Sequence, residues 1–172
     1  MDWDAIGAIG EIVGASGVIA TLIYLAAQIR LNTTTVKGAA HQTQIDSSVA
    51  LNNAIATDEQ LATLIASANQ DYESLLPGQQ IQLRHLYFNF FNLWHSAYWN
   101  HKDNLLPHPA WRLWNDAMGG LLTEQIAARR AWEDIKVAYD DDFQAHVEKA
   151  SKTLGLATIA GSGIASVKVS IT

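Results

Sequence analysis

The chain has no cysteine among its 172 residues, which excludes disulfide frameworks, thiolate zinc sites, iron–sulfur clusters and cysteine nucleophiles. Charge is scarce as well: Asp, Glu, Lys and Arg make up 16% of the residues, where an ordinary soluble domain has about a quarter. Only 11 side chains are Lys or Arg against 17 Asp or Glu, and the net charge of −6 leaves no cationic stripe for a phosphate backbone. Nucleic acid is therefore not an expected partner.

Recognisable catalytic spacing is missing too. There is no GxGxxG, no GxxxxGK[ST] and no GxSxG, and Gly161-Ser162-Gly163 lies in no strand–turn–helix setting. The six histidines, His41, His85, His95, His101, His108 and His146, include no HExxH pair and no ExxH of a di-iron bundle. His101 and His108 flank a turn with Asp103 between them, but no further ligand follows in that stretch to complete a zinc site. No cofactor, metal ion or catalytic residue is expected.

With 49% of residues apolar and so few charges, the apolar residues must be concentrated somewhere. They are concentrated near the start. Ile12 to Ile29, IVGASGVIATLIYLAAQI, carries no formal charge, and Ala5–Gly10 extends it upstream with only Glu11 between. At ~1.5 Å per helical residue the run spans about 27 Å, close to the ~30 Å of bilayer hydrocarbon. A cleaved secretory signal fits less well, because such signals open with Lys or Arg and this chain opens Met1-Asp2-Trp3-Asp4. Arg30 and Lys37 follow the run and no basic residue precedes it, so the positive flank places the N-terminus outside and the rest in the cytoplasm. Trp3 is suited to the outer interface and Arg30 to snorkelling at the inner one.

Insertion of this span is marginal. Its eight Ile, Val and Leu contribute about −0.3 to −0.6 kcal/mol each, before penalties from Ser16, Thr21 and Gln28. A marginal span gains from a partner, and Gly7, Gly10, Gly14 and Gly17 recur at steps of three and four, making a smooth stripe on which a second helix can pack. Glu11 borders the stripe and should face a partner, water or headgroups rather than lipid.

Downstream, Thr57-Asp58-Glu59-Gln60 reads as a capping box with Thr57 as the cap. Pro77 is suited to a first helical position, and the helix it opens, to about His101, is expected to be the buried central helix of the domain. Gln82, His85, Asn89, Asn92, Ser96, Asn100 and Asp103 fall on one narrow arc, and nearly every other direction is apolar. The polar seam of His85, Asn89, Asn92 and Ser96, with His95 beside it, is either a solvent-exposed ridge or a ligand groove. Further helices are expected from Pro109 to Gly119-Gly120, from Leu121 to Ala138, and from Asp140-Asp141-Asp142 to Thr153, with Leu154-Gly155 as the stop. The alternation Val167–Thr172 reads as strand-like.

The segments GAIGEIVGASGVIATLIYLAAQIRLNT, RHLYFNFFNLWHSAYWN, PAWRLWNDAM and AWEDIKVAYDDDFQAHVEKA together resemble a widespread group of small, uncharacterised bacterial proteins. These have one N-terminal membrane helix ending in a Q-I-R-x-N-T element, here Gln28, Ile29, Arg30, Asn32 and Thr33, followed by an aromatic-rich helical domain. The group often carries an acid where this chain has His95. The resemblance implies a topology and no activity.

The expectation is an all-α protein of the bacterial inner membrane. Residues 1–31 form a transmembrane helix with a short outer tail, 32–153 a cytoplasmic bundle of about five helices, and 154–172 a flexible or strand-like tail. Its expected role is non-enzymatic assembly, by self-association or as an accessory subunit of a larger membrane protein; six tryptophans in a small domain exceed what one core needs. A ligand sensor or enzyme using the polar seam is the alternative.

Overall fold

The computed structural model describes residues 3–161, with side chains from 10 to 153. Within that range the chain is all-α, and the alternation at 167–172 lies outside the described residues. One helix of 54 residues, α1 (Trp3–Ala56), is followed by α2 (Glu59–Gln70), α3 (Pro77–Lys102), α4 (His108–Glu124), α5 (Ile126–Ile135) and α6 (Asp141–Gly161). A 3₁₀ turn at Lys136–Ala138 joins the last two.

α1 is about 80 Å long at 1.5 Å per residue, and it changes character along its length. From Gly10 to Ala39 every side chain is exposed. Only then does it meet protein: Leu51 and Ile55 pack on the core, and Gln44, 2% exposed, donates from Nε2 to the Leu93 carbonyl at 2.8 Å. Gln44 lies opposite Leu93, and Ile55 shares a cleft with Leu86 and Phe90. α1 and α3 are therefore antiparallel, and the C-terminal end of α3 points back toward the apolar end of α1. Between the two regions runs Asn32-Thr33-Thr34-Thr35-Val36-Lys37-Gly38, which is exposed on all sides. These residues are together roughly 4 kcal/mol poorer helix formers than alanines. Each threonine hydroxyl bonds back to the carbonyl four residues earlier, which satisfies the hydroxyl without adding packing.

α3 is the central helix, as its nearly all-round apolar pattern requires. Leu83, Tyr87, Phe91, Trp94 and Ala97 are at most 1% exposed. Phe91 meets Trp132 of α5 with ring centroids 5.0 Å apart, and Trp94 meets Phe143 of α6 edge-on at 5.7 Å. Its start is set by Pro77 and by Gln79, whose Oε1 accepts from the Leu76 amide at 2.9 Å.

Several boundaries differ from the sequence reading. Asp58, not Thr57, caps α2: its carboxylate accepts from the Leu61 amide at 3.0 Å, while the Thr57 hydroxyl turns back to the Asn53 carbonyl at 2.7 Å. α4 runs through Gly119-Gly120, because an interior glycine costs only about 1 kcal/mol and Trp111, Met118 and Leu122 bury on the same helix. The break comes instead at Gln125, where Arg129 donates to the Leu122 and Thr123 carbonyls at 3.0 and 2.8 Å. Asn69 of α2 accepts from the Ile126 amide at 3.1 Å and so opens α5. α6 likewise continues past Leu154-Gly155 to Gly161.

Gln44 is the buried polar link between the long helix and the bundle. Replacing it with Ala should lower bundle stability by about 1–3 kcal/mol, since a buried donor and its packing are lost. Amides of 40–50 should exchange faster in hydrogen-exchange measurements, while those of α3 should speed up only as far as the global loss of stability requires; unchanged exchange at 40–50 would show that Leu51 and Ile55 suffice to dock the helix.

Candidate functional site

Two regions stand out: the uncovered face of α1 and the aromatic cluster where α3, α4 and α6 meet. On α1, the glycines Gly10, Gly14 and Gly17 face open space, and a methyl group built on any of them would touch nothing within 4 Å. Glu11 beside them is exposed. Gly7 is in the helix, but its surroundings lie outside the described side chains. The bulky residues are equally uncovered, with Ile12, Ile19, Leu22, Ile23 and Ile29 between 58% and 67% exposed. α1 is thus one helix long and apolar enough to cross a membrane, and no residue of its apolar window is buried by the bundle.

The polar seam of α3 forms an outward ridge. His85, Asn89, Asn92 and Ser96 are all exposed, and five clefts among the described residues are lined by none of them and not by His95. Asn92 does one structural task, accepting from the Tyr139 hydroxyl at 2.9 Å. Burial pushes that tyrosine's pKa well above its ordinary value, so it stays a donor.

His95 finds a partner that its sequence position did not suggest. Its Nε2 lies 2.7 Å from Oδ2 of Asp140, 45 residues on, and the Trp99 indole approaches the same oxygen at 3.2 Å. Trp99 also stands 3.0 Å from His95 Nε2. One nitrogen cannot both donate to the carboxylate and accept from the indole, so the consistent arrangement has both N–H groups donating to Asp140. Asp140 uses its other oxygen to cap α6, accepting from the Phe143 amide at 2.9 Å. Desolvation pulls its pKa up, but the bonds from His95, the Phe143 amide and Trp99 outweigh that and hold it below the usual aspartate value. The sequence showed Asp140 as a cap; its pairing with His95 required the tertiary fold.

His146 sits deeper, among Trp94, Tyr98 and Trp111, with its Nε2 2.6 Å from Oδ1 of Asn115. Desolvation, then Lys149, Lys102 and His101, push its pKa down, so the ring is held neutral with Nε2 as the donor. His101 stacks on the other side of the cluster, nearly parallel to Trp111 at 5.1 Å, and His108 is 5.7 Å from His101. Among the described residues no three of His, Asp and Glu gather to hold a metal ion. Nucleophile, base and oxyanion donors do not converge here; what the arrangement does is lock α6 onto α3 and α4.

A groove of about 410 Å³ was not anticipated. It lies between α1, α3 and α4, lined by His41 and Ile45, Phe90 and Leu93, and Leu113 and Trp114 among others. Leu113 is 72% exposed at its edge. On α1 the groove is lined by a single apolar residue, Ile45, among His41, Ser48 and Asn52, so no apolar face marks it in the sequence.

No protein-family model, no curated protein and no solved structure matches the chain.

The depressed His146 pKa fixes a sign. Its stabilising contribution is complete above the unfolded value of about 6.5 and is lost as pH falls through that value toward the lower folded one. Lowering pH from 7 to 5 should therefore reduce the urea midpoint of unfolding, and His146→Gln should flatten the slope in that window. An NMR titration placing the His146 midpoint at or above 6.5 would contradict the assignment.

Proposed function

We propose that the protein is a membrane-anchored, non-enzymatic assembly protein of the bacterial inner membrane. It has its N-terminus outside and its helical domain in the cytoplasm, and it associates with itself or with a larger membrane protein. One observation carries this reading: the most apolar part of the chain is a helix that the bundle leaves entirely uncovered. Left in water, its exposed Ile, Leu and Val side chains would cost on the order of 10 kcal/mol, as much as a whole domain's stability. A core helix of a soluble protein would be covered by its own fold, and this one is not. Lipid removes the cost.

Orientation is supported by Arg30 and Lys37 following the apolar run. The non-enzymatic reading is supported by where the titratable side chains go. His95, Asp140 and His146 are each engaged in holding helices together. The face of α1 carrying Gly10, Gly14 and Gly17 has no neighbour among the described residues, which supports helix contact in the bilayer.

Membranes washed with alkaline carbonate should retain the intact chain in the pellet. A cysteine placed at Val137, 82% exposed on the bundle, should react with a membrane-impermeant maleimide only after the cells are lysed. Recovery in the supernatant would overturn the anchoring, and labelling in intact spheroplasts would overturn the orientation.

A further inference from the structure

We propose that residues 32–39 of α1 form a joint: water opens the helix there, and the bundle swings on it relative to the bilayer. The inference rests on the membrane-anchored reading and adds how the two parts of the chain move. In the continuous helix the docking at Gln44, Leu51 and Ile55 fixes the direction of the bundle, and opening the joint releases it.

The joint is bracketed on both sides. Upstream, through Leu31, hydrocarbon holds the helix closed, because an amide that left its carbonyl there would find no other partner. Gly10, Gly14 and Gly17 are as uncovered as the joint, yet in lipid their backbone freedom opens nothing. Downstream, Ala40 and His41 are half-buried, and Gln44 is fully covered. Asn32 to Ala39 lie between, about 12 Å of helix with every side chain exposed. Only there does water reach the backbone while no protein packs on it.

The residues in the bracket weaken the one thing that holds them, the backbone ladder. The hydroxyls of Thr33, Thr34 and Thr35 bond to the carbonyls of Ile29, Arg30 and Leu31 at 2.9, 3.0 and 3.1 Å, and so compete with the helical amides for the same acceptors. A glycine inside a helix is useful where a neighbour needs the space, but a methyl group on Gly38 would meet nothing within 4 Å. Gly38 therefore contributes backbone freedom alone. With exposed backbone bonds and no buried side chain, the segment belongs to the low end of local stability. A joint at this place lets the bundle turn toward whatever lies beside the span without turning the span itself.

The test uses the full-length chain in phospholipid nanodiscs, and the absence of native cysteine makes spin-labelling direct. After correction for intrinsic rates, amides of 32–39 should exchange roughly tenfold or more faster than those of 12–29 and 44–56. A variant carrying Thr33→Ala, Thr34→Ala, Thr35→Ala and Gly38→Ala should slow them by roughly tenfold. Label pairs at Ile23 with Val137, and at Leu76 with Val137, all exposed positions, separate motion across the joint from motion within the bundle. The first distance distribution should be the wider and should narrow in the alanine variant. Protection at 32–39 equal to that at 44–56, or a first distribution no wider than the second, overturns the joint. Exchange at 12–29 as fast as at 32–39 overturns the anchoring instead.

Discussion

A helix satisfies its own backbone hydrogen bonds in any solvent, but its side chains must match whatever surrounds them, and α1 meets three surroundings in 54 residues. Its apolar length has no neighbour among the described residues. Its middle is polar, β-branched and exposed. Its last part is held to α3 by one buried amide, Gln44, and by Leu51 and Ile55. Because the helix is continuous, the orientation of the bundle relative to the apolar segment is fixed by that short docking region. The other elements follow from it: α3 runs back along α1, and α4, α5 and α6 close around α3.

The bundle core combines leucines and alanines with a cluster of interlocking rings. Phe91, Trp94, Trp132 and Phe143 interlock at centroid distances of 5.0 to 6.0 Å, and such contacts are directional as well as hydrophobic. That gives a small domain a rigid interior. It also places one polar atom at a cost, since Trp94 Nε1 is buried without a hydrogen-bond partner. The histidines complete the same cluster from its edges, His95 through Asp140 and His146 through Asn115. Side chains that suggest chemistry in the sequence thus serve as struts between helices, which is consistent with the assembly role proposed above.

The all-α class, the order of the helices and the central place of α3 were legible because they rest on periodicity, and periodicity is local. Pro77 at a helix start and Asp140 at the start of α6 were legible for the same reason: a cap and its amides are three residues apart. The glycine signals misled at Gly119-Gly120 and Gly155. A propensity of about 1 kcal/mol is readily overridden by what the rest of the helix buries, and burial is not a local quantity. Thr57 and Asp58 were confused because either residue type can cap, and only the backbone path decided between them.

By itself the sequence determined where charge is absent and where glycine recurs, and hence which segment suits hydrocarbon and which face of it is smooth; both are properties of a single helix. The tertiary structure decided what the bundle leaves uncovered. It alone put Asp140 beside His95, opened the groove between α1 and α4, and left α1 from Gly10 to Ala39 exposed among the described residues. Those outcomes depend on pairs of residues tens of positions apart, and their distance is set by the packing of the whole bundle rather than by any spacing along the chain.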